Sequence, residues 1–344
     1  MTSLGPDRPF SSLSKDPDHP FSVWEKPEPA TIDPLGRLAI TTPELVQRAA
    51  REEIQTGARF SLDLSIEQDG FTLFGRKKAE RTVRRIDRCA ATKRETEERG
   101  DLWFPKHDDL IHINTQSSTQ FDGPYHVSYP GSGYFYGGAT VEDVESGNIG
   151  RGIARWAEAG GIVGRGVLID YARWAEKNGV KFDPCLESHQ VPLSVIKEIA
   201  KEQGTTFRRG DVFILRTGEF TPSARPCRYE TRFNELKASS RLDQIGGTYA
   251  GIEQSEQVLE FLWDEGFVAV AGDQPAFEAW PAAPDKLLHP VLLSGWMMPI
   301  GELLALEQLA AHCARERRWT FFFSAMPLKV EHGLATTGQT LAVF

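Results

Sequence analysis

From Gly166 to the end of the chain, short apolar runs alternate with amphipathic stretches, and that alternation limits the fold more than any other feature. Gly166–Asp170, Asp211–Thr217, Phe267–Gly272 and Trp319–Ser324 are apolar runs of strand length. The segments 151–158, 193–202, 253–264 and 302–314 carry helical spacing between and around them. Strands and helices in strict succession predict an α/β layer architecture, since each strand needs a helix to cover its apolar face. No fixed repeat period accompanies the alternation, which excludes a solenoid or propeller. No G-x-G-x-x-G opens a helix and no P-loop is present, which removes the common nucleotide-binding folds.

The chain ahead of this region is less regular. Residues 1–38 are dense in Pro, Asp and Ser without periodicity and read as an N-terminal arm over the surface or over a partner subunit, ahead of a domain at 39–344. Thr42-Pro43-Glu44 supplies a cap, a first-turn proline and an early acid, and Gly57 closes the pattern, so the expected helix is 43–56. Phe60 to Ile66 alternates as a half-buried strand does. The run 76–100 is highly charged with few apolar anchors and is expected to be a solvated helix or loop.

At 344 residues with 40% hydrophobic content, the chain buries a substantial core as one large domain or two. Its 39 basic and 48 acidic residues are interleaved, giving a formal charge of −9, and no basic block invites nucleic acid or an anionic membrane. The four cysteines, Cys89, Cys185, Cys227 and Cys313, lie far apart and read as reduced thiols. The start of the chain is polar, and no run of about 18 apolar residues is present to span a bilayer. A soluble, cytoplasmic protein is the expectation.

Chemistry concentrates in Gln116-Ser-Ser-Thr-Gln120-Phe-Asp122-Gly-Pro-Tyr-His126. In an extended segment, Gln116, Gln120 and Asp122 share one face with Phe121 behind, and Gly123-Pro124 then turns the chain to present His126. An aromatic loop, Tyr129 to Gly138, follows and is suited to wall a small-molecule pocket through Tyr134, Phe135 and Tyr136. A second polar group is His289-Pro290, with Glu302 further on at the expected first turn of the helix to 314, where the macrodipole favours a carboxylate. A histidine before proline predicts an extended or turning segment. Asp273, after the strand ending at Gly272, lies where strand ends present ligand contacts. Arg216 is open between binding a substrate carboxylate and pairing with an internal acid.

The central segment resembles the signature of the metal-dependent cyclase family, which includes kynurenine formamidases and isatin hydrolases: His-x-Gly-Thr-His-x-Asp-x-Pro-x-His. Thr119, Asp122, Pro124 and His126 agree with it, Ser118 replaces Gly, and Gln116 and Gln120 replace two metal-binding histidines. The segments 164–170, 210–218 and 251–252 and the closing Pro327-Leu-Lys-Val-Glu331 stand in family order, so the resemblance spans about residues 35–344. It implies a swivelling β/β/α fold assembled as a homodimer or homotetramer. It also implies metal ligation by Asp122, His289 and Glu302 and proton transfer by His126. Glutamine carbonyls are weak ligands, so a single Zn or Mn ion and a metal-free site both remain open.

These features together lead to the expectation of a hydrolase. It would open an amide, imide or lactone bond of a small cyclic or aromatic substrate, with Gln116 and Gln120 orienting water or an oxyanion. A metal-independent cyclase, dehydratase or isomerase is the alternative enzyme. A binder that lost catalysis is disfavoured, because convergent unpaired polar groups are costly to bury.

Overall fold

The computed structural model describes residues 8–25, 35–66, 73–86, 106–184, 186–218 and 247–344. Part of the charged run, and Cys89, Cys185 and Cys227, lie outside them.

Four parallel strands make the centre. β5 (Ile162–Asp170), β7 (Val212–Arg216), β9 (Ala269–Gly272) and β10 (Ile300–Glu302) lie side by side in that order. The strands β7, β9 and β10 are buried at every residue, as a parallel sheet covered on both faces requires. Antiparallel strands extend both sides of this centre. β11 (Thr320–Ala325), β13 (Thr340–Val343) and β1 (Arg59–Ser61) continue beyond β5, and β4 (Gln120–Asp122) and β12 (Ala335–Thr337) continue beyond β10. The result is one nine-stranded mixed sheet, and β6 (Gln190–Val191) and β8 (Gly251–Ile252) form a separate parallel pair.

Helices flank it, four of the described ones in segments where the spacing predicts them. α1 (Pro43–Glu53) is capped by Thr42, whose hydroxyl accepts the Leu45 N–H, and packs on β5 and β11. α2 (Val141–Ser146) carries a capping box, α3 is Ile153–Glu158 and α4 is Tyr171–Lys177. α5 (Leu193–Glu202) matches its expected bounds and buries Leu193, Ile196, Ile199 and Ala200. α6 (Glu256–Asp264) starts at its Ser255 cap. No described helix is long and apolar enough to cross a membrane.

Three expected elements differ. The strand of 60–66 shrinks to Arg59–Ser61, and the charged run supplies a strand instead of a helix or loop. β2 (Glu80–Arg85) pairs with β3 (His107–His112) in an exposed antiparallel ribbon, where charged side chains remain hydrated on both faces. The helix expected from 302 begins at Glu307: α7 spans Glu307–Glu316. Glu302 instead ends β10, and Leu303, at a φ of 56°, turns the chain out of the strand.

The N-terminal residues are part of the core. Phe10, Leu13 and Trp24 are buried in it, as are Arg37 and Leu38. Three indoles fasten this segment: Trp263 Nε1 donates to the Arg8 carbonyl at 2.7 Å, Trp296 Nε1 to Phe21 at 2.8 Å, and Trp24 Nε1 to Ser294 at 2.8 Å. Two hydrogen bonds from Arg37, to the carbonyls of Phe267 and Trp263, continue the seam.

Candidate metal and acid–base site

The strand pair β4/β10 places the first carboxylates. Gln120 lies opposite Glu302 and Asp122 opposite Ile300, so Gln120, Asp122 and Glu302 share one face of the sheet. Phe121 points to the other face, where it fills the space left by Gly301. Only 120–122 of the expected comb is strand. Gln116 sits in a turn, with the Gln116 N–H donating to Asn114 Oδ1 at 2.9 Å and the Ser117 N–H to the Asn114 carbonyl at 3.0 Å. The turn still delivers the side chain to the expected place.

Gln116 Nε2 donates to Asp122 Oδ1 at 2.7 Å and stands 3.0 Å from His126 Nε2. Gln120 Nε2 donates to Glu302 Oε2 at 2.6 Å. Each glutamine therefore bridges groups of the cluster instead of facing solvent.

His289 completes the cluster from a different element. It caps a π-helical turn, Pro290–Gly295, with helical backbone angles, although residues before proline usually avoid them. Glu278, which the sequence did not bring to notice, holds it there. Its Oε1 accepts the backbone N–H groups of Leu288 and His289, both at 3.1 Å, and its Oε2 lies 2.5 Å from His289 Nδ1. The other ring nitrogen, Nε2, reaches Glu302 Oε1 at 3.0 Å. Nothing in the neighbouring sequence separates Glu278 from the other acids of the chain. Arg76 is the second residue the sequence did not reveal, hidden in the charged run, and its Nη1 donates to Gln120 Oε1 at 3.3 Å and to the Gln116 carbonyl at 2.8 Å.

Burial governs the electrostatics. It raises the Glu302 carboxyl to about 7, helped by nearby Asp122 and opposed by His289. The imidazole of His289 moves well above its ordinary value, because Glu278 and Glu302 override the penalty of burial. That same contact brings Glu278 below the usual carboxylate range even though burial acts the other way. His126 is lowered by desolvation, against the pull of Asp122 and with the repulsion of His289 and Arg76, and so favours neutral imidazole.

The donors fit a divalent cation. One ligand atom each from Asp122, His289 and Glu302 lies within 4.8 Å of the others. Asp122 Oδ2 is buried without a hydrogen-bond partner, with His126 Nε2 3.5 Å away. The clasp of Glu278 on His289 Nδ1 is the outer support that a metal-binding histidine commonly receives. A half-turn of either glutamine amide would exchange its N–H donor for a carbonyl oxygen on the side of Asp122 or Glu302.

The remaining candidates have internal partners. Asp273 is fully buried and accepts the Thr217 N–H at 2.8 Å, the Thr217 hydroxyl at 3.1 Å and the Gly218 N–H at 2.8 Å, so the strand-end carboxylate braces its neighbour. Arg216 resolves to an ion pair, at 2.6 Å from Asp170 and 2.7 Å from Glu307. The aromatic loop is a hydrogen-bonded corner: Tyr129 N–H donates to the Tyr134 carbonyl at 2.9 Å and Phe135 N–H to the Ala139 carbonyl at 2.8 Å. Phe135 and Tyr136 are buried, and Tyr134 packs edge-on against Trp24.

A mixed sheet with covering helices and a buried cluster, carboxylates from one strand pair and an imidazole from an adjoining turn, defines an α/β protein with a candidate metal site. The family model Cyclase matches residues 33–279, and the chain belongs to the cyclase family. A solved structure described as a novel cyclase is 26% identical, covers 91% of this chain and 96% of its own, and superposes with a TM-score of 0.72. Isatin hydrolase A from Ralstonia solanacearum is 18% identical over 88% of this chain and 97% of its own, with a TM-score of 0.51. An isatin hydrolase bound to the product analogue thioisatinate is 16% identical over 87% and 95%, with a TM-score of 0.50. These likenesses bear out the α/β cyclase-like fold expected from the sequence. Among curated proteins no relative matches.

Proposed function

We propose that the protein is a hydrolase that opens an amide, imide or lactone bond in a small cyclic or aromatic substrate. The observation that carries this is the convergence of Asp122, His289 and Glu302 on one point, with the ring of neutral-leaning His126 beside Asp122. Two proteins of the same fold are described as isatin hydrolases, which supports the reaction class. A zinc or manganese ion held by these three residues would supply Lewis acidity and a lowered pKa for water.

The residues of the chain do the rest. His126 accepts the proton of the attacking water at Nε2 and returns it to the leaving nitrogen or oxygen. Gln116, donating to Asp122 and standing beside His126, keeps that nitrogen oriented toward the site. The Gln120 amide holds the Glu302 carboxylate in place from across the strand pair. Reaction in H₂¹⁸O tests the assignment, because ring opening by hydrolysis places one solvent oxygen in the product carboxylate. Turnover of cyclic imide and lactone panels without label in the product would overturn it.

A second reading rests on the glutamine bridges. Amide donors on Asp122 and Glu302 partner both carboxylates without a cation, which favours a metal-independent cyclase, dehydratase or isomerase. Full activity of chelator-treated protein, with isomerised and unlabelled product, would select it.

A further inference from the structure

Arg76 approaches the cluster from outside the sheet. Its Nη1 is anchored on two oxygens, the Gln116 carbonyl and Gln120 Oε1, and Gln120 in turn donates to Glu302. One amide group therefore separates the guanidinium from a candidate metal ligand. The Phe74 ring lies 5.1 Å from its Cζ and supports its flat face, and Phe74 is in turn edge-on to buried Tyr249. Arg76 is half-buried, and Nη1 of its fork is fixed by the protein.

No described carboxylate lies within ion-pair distance of Arg76, whereas buried Arg165 is matched by Glu53 and Asp211, and buried Arg216 by Asp170 and Glu307. A guanidinium offers five N–H donors in a planar fork suited to a carboxylate. Among the described residues only Nη1 is anchored, which leaves Nη2 and Nε for a ligand. Both anchors are neutral oxygens, which orient the group without cancelling its charge.

We propose that Arg76 is a further binding residue, whose guanidinium receives the carboxylate of a small aromatic ring acid over the Gln116–Gln120 bridges. This rests on the hydrolase reading for the identity of the pocket. The carboxylate has two sources: a substituent the substrate already carries, or the acid that ring opening creates.

Equilibrium titration distinguishes them without turnover. Phthalamate carries the carboxylate of an opened imide, benzoate a simple aromatic carboxylate, and benzamide none. The expected result is that wild-type protein binds the acids more tightly than benzamide. Arg76→Met should weaken the acids about tenfold, the loss of one charge-assisted contact, and leave benzamide unchanged, with Arg76→Lys intermediate. An effect on phthalamate alone assigns the carboxylate to ring opening, and an equal effect on benzoate assigns it to any aromatic acid. Equal weakening of all three ligands, or no preference for acids in the wild type, overturns the inference. Isotope incorporation from H₂¹⁸O is read separately. Imide hydrolysis without carboxylate discrimination removes only the role of Arg76, and carboxylate discrimination without hydrolysis removes only the reaction class.

Discussion

Gln120 and Glu302 face each other across the antiparallel pair β4/β10, and the glutamine amide donates to the carboxylate at 2.6 Å. The position where the family signature carries a metal-binding imidazole thus holds a neutral donor aimed at another ligand. Gln120→His should restore a nitrogen ligand and raise affinity for zinc or manganese by about tenfold or more, a preference imidazole shows over amide oxygen. Calorimetric titration of metal into wild type and variant checks this, and unchanged affinity would mean that residue 120 stands outside the coordination sphere.

Glu278 acts on the same site through His289. Glu278→Gln keeps the shape and an acceptor for the Leu288 and His289 N–H groups, but loses the carboxylate that holds Nδ1. Metal affinity should fall roughly 10–100-fold, as for other partners of ligating histidines. Equilibrium dialysis with manganese measures it.

The pH dependence of catalysis follows from His126. Desolvation lowers its pKa, so the neutral base is already the main form at neutral pH. The acidic limb of kcat/KM should therefore inflect below the ordinary histidine value of about 6.5, with activity lost as pH falls through it. His126→Asn should reduce kcat by about 10²–10⁴-fold and abolish that limb, as read in a pH–rate profile. A profile that keeps its limb in the variant assigns the inflection to another group.

Stability depends on Arg216 in a different way. Fully buried, it pairs with Asp170 and Glu307 and lies close to Asp273. Arg216→Ala leaves Glu307 without its cation and Asp170 with Arg173 alone, and should destabilise the fold by about 3–5 kcal/mol. Urea denaturation reads the change directly, and a loss below about 1 kcal/mol would show that water enters to hydrate the acids.

Gly301 sets how closely β10 and β9 approach. A methyl group there would lie 2.7 Å from the Phe121 ring and 2.8 Å from Ala271 Cβ. Gly301→Ala should cost about 1–3 kcal/mol, and it should also lower metal affinity because Phe121 sits between Gln120 and Asp122. A thermal melt and a metal titration on the same sample test both effects.

The parallel centre of the sheet was legible because strands buried on both faces leave continuous apolar runs: Val212–Arg216 and α5 appear where expected. Leu303, Leu304 and Leu306 extend the apolar spacing of α7 backwards and so predict a helix at Glu302, and side-chain pattern does not report the positive φ at Leu303. The arm hides its role for a related reason. Phe10, Phe21 and Trp24 bury aromatic area among prolines without any period, so their core contacts arise from tertiary packing alone. Asp122, His289 and Glu302 match a family pattern, whereas Glu278 and Arg76 match none and stand out only by their distances in the fold.

Ser294 carries a consequence out of proportion to its size. Its hydroxyl donates to the Val127 carbonyl at 2.6 Å, one residue past His126, and its own carbonyl accepts the Trp24 indole. The turn bearing His289 and the loop bearing His126 are thereby riveted to each other and to the head of the chain. The spacing of the two imidazoles is thus an attribute of residues near position 24 as much as of the sheet, and trimming the first two dozen residues would loosen the chemistry before it loosened the strands.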